Sequence, residues 1–244
     1  EVMVKTVANG GTSILADELI PSFEQNIFVT WLSGSGVGKF PKSTLTKMLT
    51  GKVVNVSPYI AQLEHGVTAS GSPKDIETIL QLVYLNFTSP RFNETDLNNL
   101  KKMYAPYFAN MEQDPNYICS KELQKTLFNN HYRQQITSAA QIEALNIATL
   151  QSVHSQLYGY ADDFRFVIVG NIDLDTLKPL VEKYIGSLPT SKKVEYAVVD
   201  DGVRTAEGKV TNDFRTPMQQ PKVSVRLNYT GAIENNAKNR LIVD

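Results

Sequence analysis

The stretch from residue 163 to residue 189 constrains the fold of this chain most strongly. It begins Asp-Phe-Arg-Phe-Val-Ile-Val-Gly-Asn, which alternates at first and then becomes wholly apolar, as in a strand buried on both faces. A helical pattern follows from about Asp175, the expected cap, to Ile185, and Gly186-Ser187-Leu188-Pro189 ends it. Because a strand and an amphipathic helix must each cover an apolar face, this stretch predicts a mixed fold of helices packed on a sheet.

Apolar spacing predicts further elements along most of the chain. A strand from Val2 is expected to end at the turn Asn9-Gly10-Gly11. Helices are predicted over residues 21–33, after Pro41, and over 73–87, 94–111, 116–128 and 141–158. A hairpin broken at Ser57-Pro58-Tyr59 is predicted between residues 54 and 67, a strand over residues 223–229, and the start of a helix from Asn235.

Composition excludes several classes of partner. The net charge of -1 provides no basic surface for nucleic acid or an anionic membrane. No apolar run reaches the roughly 20 residues that a bilayer span requires. The single cysteine, Cys119, excludes an internal disulfide and a multi-thiolate zinc site, and its helical surroundings predict a small buried hydrophobe. The sequence starts without a signal peptide and stops inside an apolar pattern, so we expect it to be a piece of a longer protein.

Two apparent motifs fail on their chemistry. The run from Ser33 to Lys39 resembles a phosphate-binding loop, but Phe40 stands where a hydroxyl should hold magnesium, and Pro41 blocks the helix that should follow. Leu63-Glu64-His65 ends like the inverted zinc motif His-x-x-Glu-His, but its first histidine is replaced by Ala61. The remaining histidines, His131 and His154, are predicted to be solvated surface residues.

A family resemblance rests on the run from Phe166 to Pro189, which reads as a strand, Gly-Asn, an acidic turn and a helix ending at Gly-Ser-Leu-Pro. This run resembles a signature of the M16 peptidases, the insulinase and pitrilysin-like zinc metallopeptidases. The segments 10–13, 87–92 and 123–131 resemble other parts of the family in the same order. The resemblance implies an α+β fold with a mostly antiparallel sheet and helices on one face. It further implies one inactive unit over residues 1–190, a linker over 191–220, and a truncated further unit over 221–244.

The resemblance also locates where a metal site would be. Members of the family carry His-x-x-Glu-His on the first helix of their first unit, before a stop that resembles residues 36–41 here. Superposing the stops puts Ile27 and Trp31 at the histidine positions and Thr30 at the glutamate position. A hydrocarbon and an indole offer zinc no lone pair, and a hydroxyl is a weak base. The third ligand, a glutamate, would fall near Tyr107, and no glutamate lies between Glu94 and Glu112.

These absences predict a segment without catalytic or metal-binding residues. The resemblance implies that it forms part of the substrate chamber of a zinc endopeptidase whose zinc is bound by a partner N-terminal lobe, with peptide as substrate. A strand near Asn55 and Ser57 would then face the chamber, and bacterial members suggest the cell envelope or periplasm. The alternative is a structural or binding member of the superfamily with no peptidase activity in either half. The presence of His-x-x-Glu-His in the other lobe would distinguish the two.

Overall fold

The structure, a computed structural model, describes residues 1–16, 27–191, 199–218, 220, 222–234 and 236–243. The strands are β1 (Val2–Asn9), β2 (Val54–Ile60), β3 (Glu64–Gly71) and β4 (Arg165–Gly170). The helices are α1 (Ile27–Ser35), α2 (Lys42–Met48), α3 (Ile76–Thr88), α4 (Glu94–Met111), α5 (Pro115–Leu127), α6 (Ala139–Ala144), α7 (Ile147–Tyr158), α8 (Leu174–Tyr184) and α9 (Ala237–Val243). Within these ranges, no helix is both long and apolar enough to cross a membrane.

The chain divides into two compact units. The first comprises residues 1–109 and 137–201, and the second comprises 110–136 and 202–244. The second unit contains α5 and α9, and its residues 202–218 and 222–234 form neither helix nor strand. The assignment of 191–220 as a linker before a further unit stays a prediction.

The first unit is built on a four-stranded antiparallel sheet in the order β2-β3-β1-β4. The long strand β1 lies inside the sheet, with Val4 opposite Ala69 of β3 and Ile168 of β4. Strands β2 and β4 form its two edges. The predicted α+β class with an antiparallel sheet is therefore confirmed.

Helices cover one face of this sheet, because alternate residues of each strand are apolar and point the same way. Val2 and Val4 of β1 and Val67 of β3 are buried on that face. They belong to one core cluster with side chains of α1, α3 and α7, which include Phe28, Ile79, Leu80, Val83, Leu150, Val153 and Leu157. The opposite face of the sheet is exposed or half-buried, as described below.

Two strand predictions were wrong in instructive ways. The hairpin is not broken at Pro58, because β2 runs through it and the turn falls at residues 61–63 instead. Proline is tolerated here since β2 is an edge strand, where a missing N–H need not break the ladder. Strand β4 is not buried on both faces, since Val167 and Val169 are 51% and 62% exposed. Strand β4 forms the edge of the sheet opposite β2, and only its Phe166 and Ile168 pack against the core.

Helix boundaries differ from prediction where polar caps interrupt the apolar pattern. The predicted helix over 141–158 is two helices, because Asn146 leaves helical geometry and its side chain caps α7 through the Thr149 N–H. Helix α8 is capped by Asp173 rather than Asp175. The predicted helix over 21–33 is described only from Ile27, since residues 17–26 lie outside the described part of the chain.

The predicted strand over 223–229 is not formed. Val223, Val225, Leu227 and Tyr229 are 77–92% exposed, and this segment pairs with none of the described strands. Alternation alone does not make a strand, because main-chain groups need a neighbouring ladder. The helix predicted from Asn235 is present as α9.

Tyr158 links the last core helix to the hairpin of β2 and β3. Its hydroxyl donates to the Tyr59 carbonyl at 2.8 Å and lies 3.2 Å from the Gly66 carbonyl, and burial raises its pKa far above the usual range. We expect Tyr158→Phe to lower the free energy of unfolding by about 1–2 kcal/mol, because the part-buried Tyr59 carbonyl loses its donor. Urea unfolding measures this loss. Tyr160→Phe, at a residue 52% exposed, is the control and should change little; equal stability of both variants would refute the role of this hydroxyl.

Candidate functional site

The positions that resemble the zinc motif lie on α1 and are occupied by core residues. Ile27 and Trp31 are 5% and 2% exposed, whereas Thr30 between them faces solvent. The Trp31 ring lies 5.5 Å from that of Phe92 and 6.3 Å from that of Phe28. The face of α1 that would hold a metal therefore packs as apolar core.

The expected third ligand position is also unsuited to zinc. Tyr107 lies on α4 and is 54% exposed. Among the residues that the structure describes, no group of three or more histidine, cysteine, aspartate or glutamate side chains is arranged to hold a metal ion. These residues do not fit zinc, so no catalytic step can be assigned to them.

The prediction that His154 is a solvated surface residue was wrong. His154 and His65 are 4% and 3% exposed. Nε2 of His154 lies 2.7 Å from the Asn86 carbonyl, and its ring stacks on Tyr158 with centroids 5.4 Å apart. Burial lowers the pKa of His154 to about 4, against a weaker opposing effect of the carbonyl. The histidine is held neutral in the core.

His65 is likewise a neutral core residue with one tautomer. Its Nδ1 accepts the Gly11 N–H at 3.2 Å, so the ring proton is on Nε2, which lies 2.7 Å from the Leu157 carbonyl. Burial lowers its pKa to about 4. Both ring nitrogens are thus engaged, and neither is available to a metal.

In the second unit, Cys119 and His131 are half-buried. Cys119 is therefore less enclosed than the buried hydrophobe that its helical pattern predicted. His131 caps the short 3-10 helix Tyr132–Gln134 by accepting the Arg133 N–H at Nδ1. Its role is local and structural.

The open face of the sheet brings together the two residues predicted to contact substrate. Asn55 and Ser57 of β2 lie opposite Ser70 and Thr68 of β3, and the same rows continue to Met3 and Lys5 of β1. At the far edge the rows end at Val169 and Val167 of β4. The face is polar toward β2 and apolar toward β4, with Met3 59% exposed. That Asn55 and Ser57 bind substrate stays a prediction.

A groove between β2 and α2 is a feature that the sequence patterns did not identify. This β2–α2 groove holds a cavity of about 80 Å³ lined by β2, α1, α2 and α3. Its lining includes Ser33, Lys42 and Asn86 among apolar side chains. The sequence did hold one signal, since residues 25–63 contain four lysines and no acidic residue.

Comparison with known proteins connects this fold to a family. The model of the peptidase M16 inactive domain matches residues 144–242. The probable zinc protease PqqL of Haemophilus influenzae is 19% identical over all of this chain, which spans 26% of that protein. The probable zinc protease PqqL of Escherichia coli is 25% identical over 66% of this chain and 17% of that protein.

Solved structures show the same fold. The periplasmic protease PqqL from Escherichia coli superposes with a TM-score of 0.67 and 22% identity, covering 84% of this chain and 22% of that one. The peptidase M16 inactive domain from Pseudomonas fluorescens gives a TM-score of 0.61 at 19% identity, over 80% of this chain and 48% of that one. This chain spans about a quarter or less of the curated relatives it matches, 26% and 17% of their lengths.

The antiparallel sheet with its helical layer is the fold of these peptidase structures, and α1 carries Ile27, Thr30 and Trp31 at the positions that resemble the zinc motif. Residues 144–242 thus match the inactive domain of the M16 peptidases, and the chain is similar in sequence to proteins described as probable zinc proteases.

Proposed function

We propose that this chain is a non-catalytic half of a zinc endopeptidase and that it forms one wall of the chamber that receives peptide. Zinc would be bound by an N-terminal lobe of the same protein, which is the partner of this chain. The observation that carries the proposal is α1, whose Ile27 and Trp31 belong to the core of a chain in which residues 144–242 match the inactive domain. A unit that cannot hold the metal contributes by binding substrate and excluding water.

The open face of the sheet is the surface proposed to meet the substrate. Asn55 supplies amide donors and an acceptor, and the Ser57 hydroxyl can donate or accept. Both stand on β2 at the polar end of the face, where Asn55 is exposed and Ser57 half-buried. Such groups suit the main chain and polar side chains of an extended peptide.

A periplasmic location is part of the proposal. The similar protease from Escherichia coli is described as periplasmic. Secretion of the full-length protein, followed by fractionation of the cell envelope, tests this. Recovery of the intact protein only from the cytosolic fraction would contradict it.

The substrate role is tested with the full-length protein by measuring peptide hydrolysis. We expect the double variant Asn55→Ala, Ser57→Ala to raise KM by about fivefold to tenfold while kcat changes little, because binding is lost far from the reacting bond. The control is Lys102→Ala on α4, an exposed residue away from β2. An unchanged KM in the double variant would remove these residues from the substrate site, and absence of hydrolysis by the unmodified zinc-loaded protein would favour the purely structural alternative.

A further inference from the structure

We propose that the β2–α2 groove binds an extended, acidic peptide segment as an added strand, with one small hydroxyl or amide side chain of that segment in the cavity. This inference deepens the peptide-binding role proposed above and depends on it. It concerns the outward main chain of β2 and the cavity beside it, which Asn55 also lines but Ser57 does not.

The main chain of β2 offers unpaired groups along the edge of the sheet. In antiparallel sheets, successive residues direct their N–H and C=O alternately to the two sides. The Val67 N–H donates to Thr6 Oγ1 at 2.8 Å, away from its β2 partner Pro58. Pro58 is therefore at an outward position, as are Val56 and Val54. Val54 and Val56 each present an N–H and a C=O to a peptide, whereas the carbonyl of the buried Pro58 already accepts from the Ser57 hydroxyl at 3.2 Å.

The cavity beside this edge contains polar side-chain atoms that can form hydrogen bonds with a ligand. Ser33 Oγ is buried and has no hydrogen-bond partner. The Asn86 amide nitrogen donates to the Leu82 carbonyl at 2.8 Å, which leaves its side-chain oxygen for another donor. A buried hydroxyl without a partner is costly, so a ligand that supplies one gains what the free protein lacks.

Apolar side chains enclose the rest of the cavity, including Leu32, Leu45, Leu49 and Leu82. A volume of about 80 Å³ admits a small side chain and not a long one. Threonine fits both properties, since its methyl group contacts the leucines and its hydroxyl reaches Ser33 or Asn86. Serine and asparagine offer the same polar chemistry.

The lysines near the groove favour acidic residues on either side of the inserted peptide residue. Residues 25–63 carry Lys39, Lys42, Lys47 and Lys52 and no acidic side chain. Lys42 is exposed and lines the cavity on the same face of α2 as Leu45 and Leu49. In a strand, residues two apart point to the same side, so an acidic residue two positions from the inserted one would face α2 and Lys42.

The proposal is tested by fluorescence anisotropy with the full chain and labelled seven-residue peptides. The central residue is threonine or its isostere valine, and the residues two positions to either side are glutamate or glutamine. We expect the threonine peptide to bind about fivefold to tenfold more tightly than the valine peptide. Glutamate flanks should bind more tightly than glutamine flanks, and added salt should reduce this difference.

Variants assign the effects to the groove. Ser33→Ala should abolish the preference for threonine over valine. Ser35→Ala is the matched control, because Ser35 Oγ is also buried on α1 without a partner but does not line the cavity. Val56→Pro should weaken all peptides about tenfold by removing an outward N–H, whereas Val56→Ala keeps it. Lys42→Glu should weaken glutamate-flanked peptides, and Lys102→Glu on α4 should not.

The possible outcomes separate this inference from the proposed function. If peptides bind and Ser57→Ala weakens them, but Val56→Pro and Ser33→Ala do not, the groove is excluded and the open-face role stands. If threonine and valine peptides bind equally well, the cavity assignment is wrong. If no peptide binds the folded chain, both the inference and the peptide-binding role are overturned.

Discussion

Rebuilding the zinc motif on α1 should unfold this chain rather than give it a metal. The triple variant Ile27→His, Thr30→Glu, Trp31→His recreates His-x-x-Glu-His in sequence. We expect the free energy of unfolding to fall by on the order of 4 kcal/mol, because two buried apolar side chains are exchanged for imidazoles and the contact of Trp31 with Phe92 is lost. Denaturant unfolding measures this loss, and isothermal titration measures zinc binding.

Zinc should bind the triple variant only weakly, because the sequence offers no glutamate between Glu94 and Glu112 to complete the site. Thr30→Glu alone is the control, and at an exposed position it should change stability by less than about 0.5 kcal/mol. A triple variant that stays as stable as the parent and binds one zinc tightly would show that the metal site was lost by substitution of the ligands alone. In that case the packing described for α1 would not be what excludes the metal.

Acid should destabilise the chain through its two buried histidines. Their pKa in the folded state is about 4, whereas an unperturbed histidine has 6.5. Between these values the unfolded chain binds more protons than the folded one. The stability from the neutral histidines is therefore fully present above about pH 6.5 and is lost as the pH falls toward 4. The loss should be on the order of 3 kcal/mol for each histidine.

Urea unfolding at a series of pH values from 4 to 8 measures this dependence. His154→Phe should reduce the slope between pH 6.5 and 4 by about half, because one of the two protons no longer takes part. The control is Tyr160→Phe, at an exposed residue that does not change either buried imidazole, which should leave the slope unchanged. A flat stability profile across this window would mean that the core histidines are protonated without cost in the folded state.

Sequence patterns identified elements whose apolar spacing is long and regular. The helices α3 and α4 lie where periodicity predicted them, and Pro106 is accommodated within α4. Sequence patterns did not predict the boundaries of short helices or of helices that begin at a capping residue. Asn146 divides one predicted helix because its side chain satisfies a main-chain N–H, a local competition that apolar periodicity does not report.

The sequence also showed which side chains occupy the candidate zinc positions, but not which residues lie beside the candidate binding surfaces. The side chains at positions 27, 30 and 31 exclude zinc by their atoms alone, before any fold is known. Pairing in the sheet was needed to show that Asn55 and Ser57 share one face with Lys5 and Thr68. The groove arises from α1, α2 and α3 meeting β2, and its lining residues are spread from Leu32 to Asn86.

The sequence by itself determined which atoms are available: which positions can bind a metal, which segments can form helices, and which family the signature near residue 166 resembles. Only the tertiary structure determined which side chains are buried away from solvent and which strands are paired. The sequence alone predicts His154 to be a surface residue, but in the structure its ring contacts those of Phe92 and Tyr158. The sequence alone predicts Pro58 to break the strand, but β2 continues through it because β2 is an edge strand of the sheet. Burial and pairing depend on contacts between residues far apart in the chain, and local patterns carry no information on them.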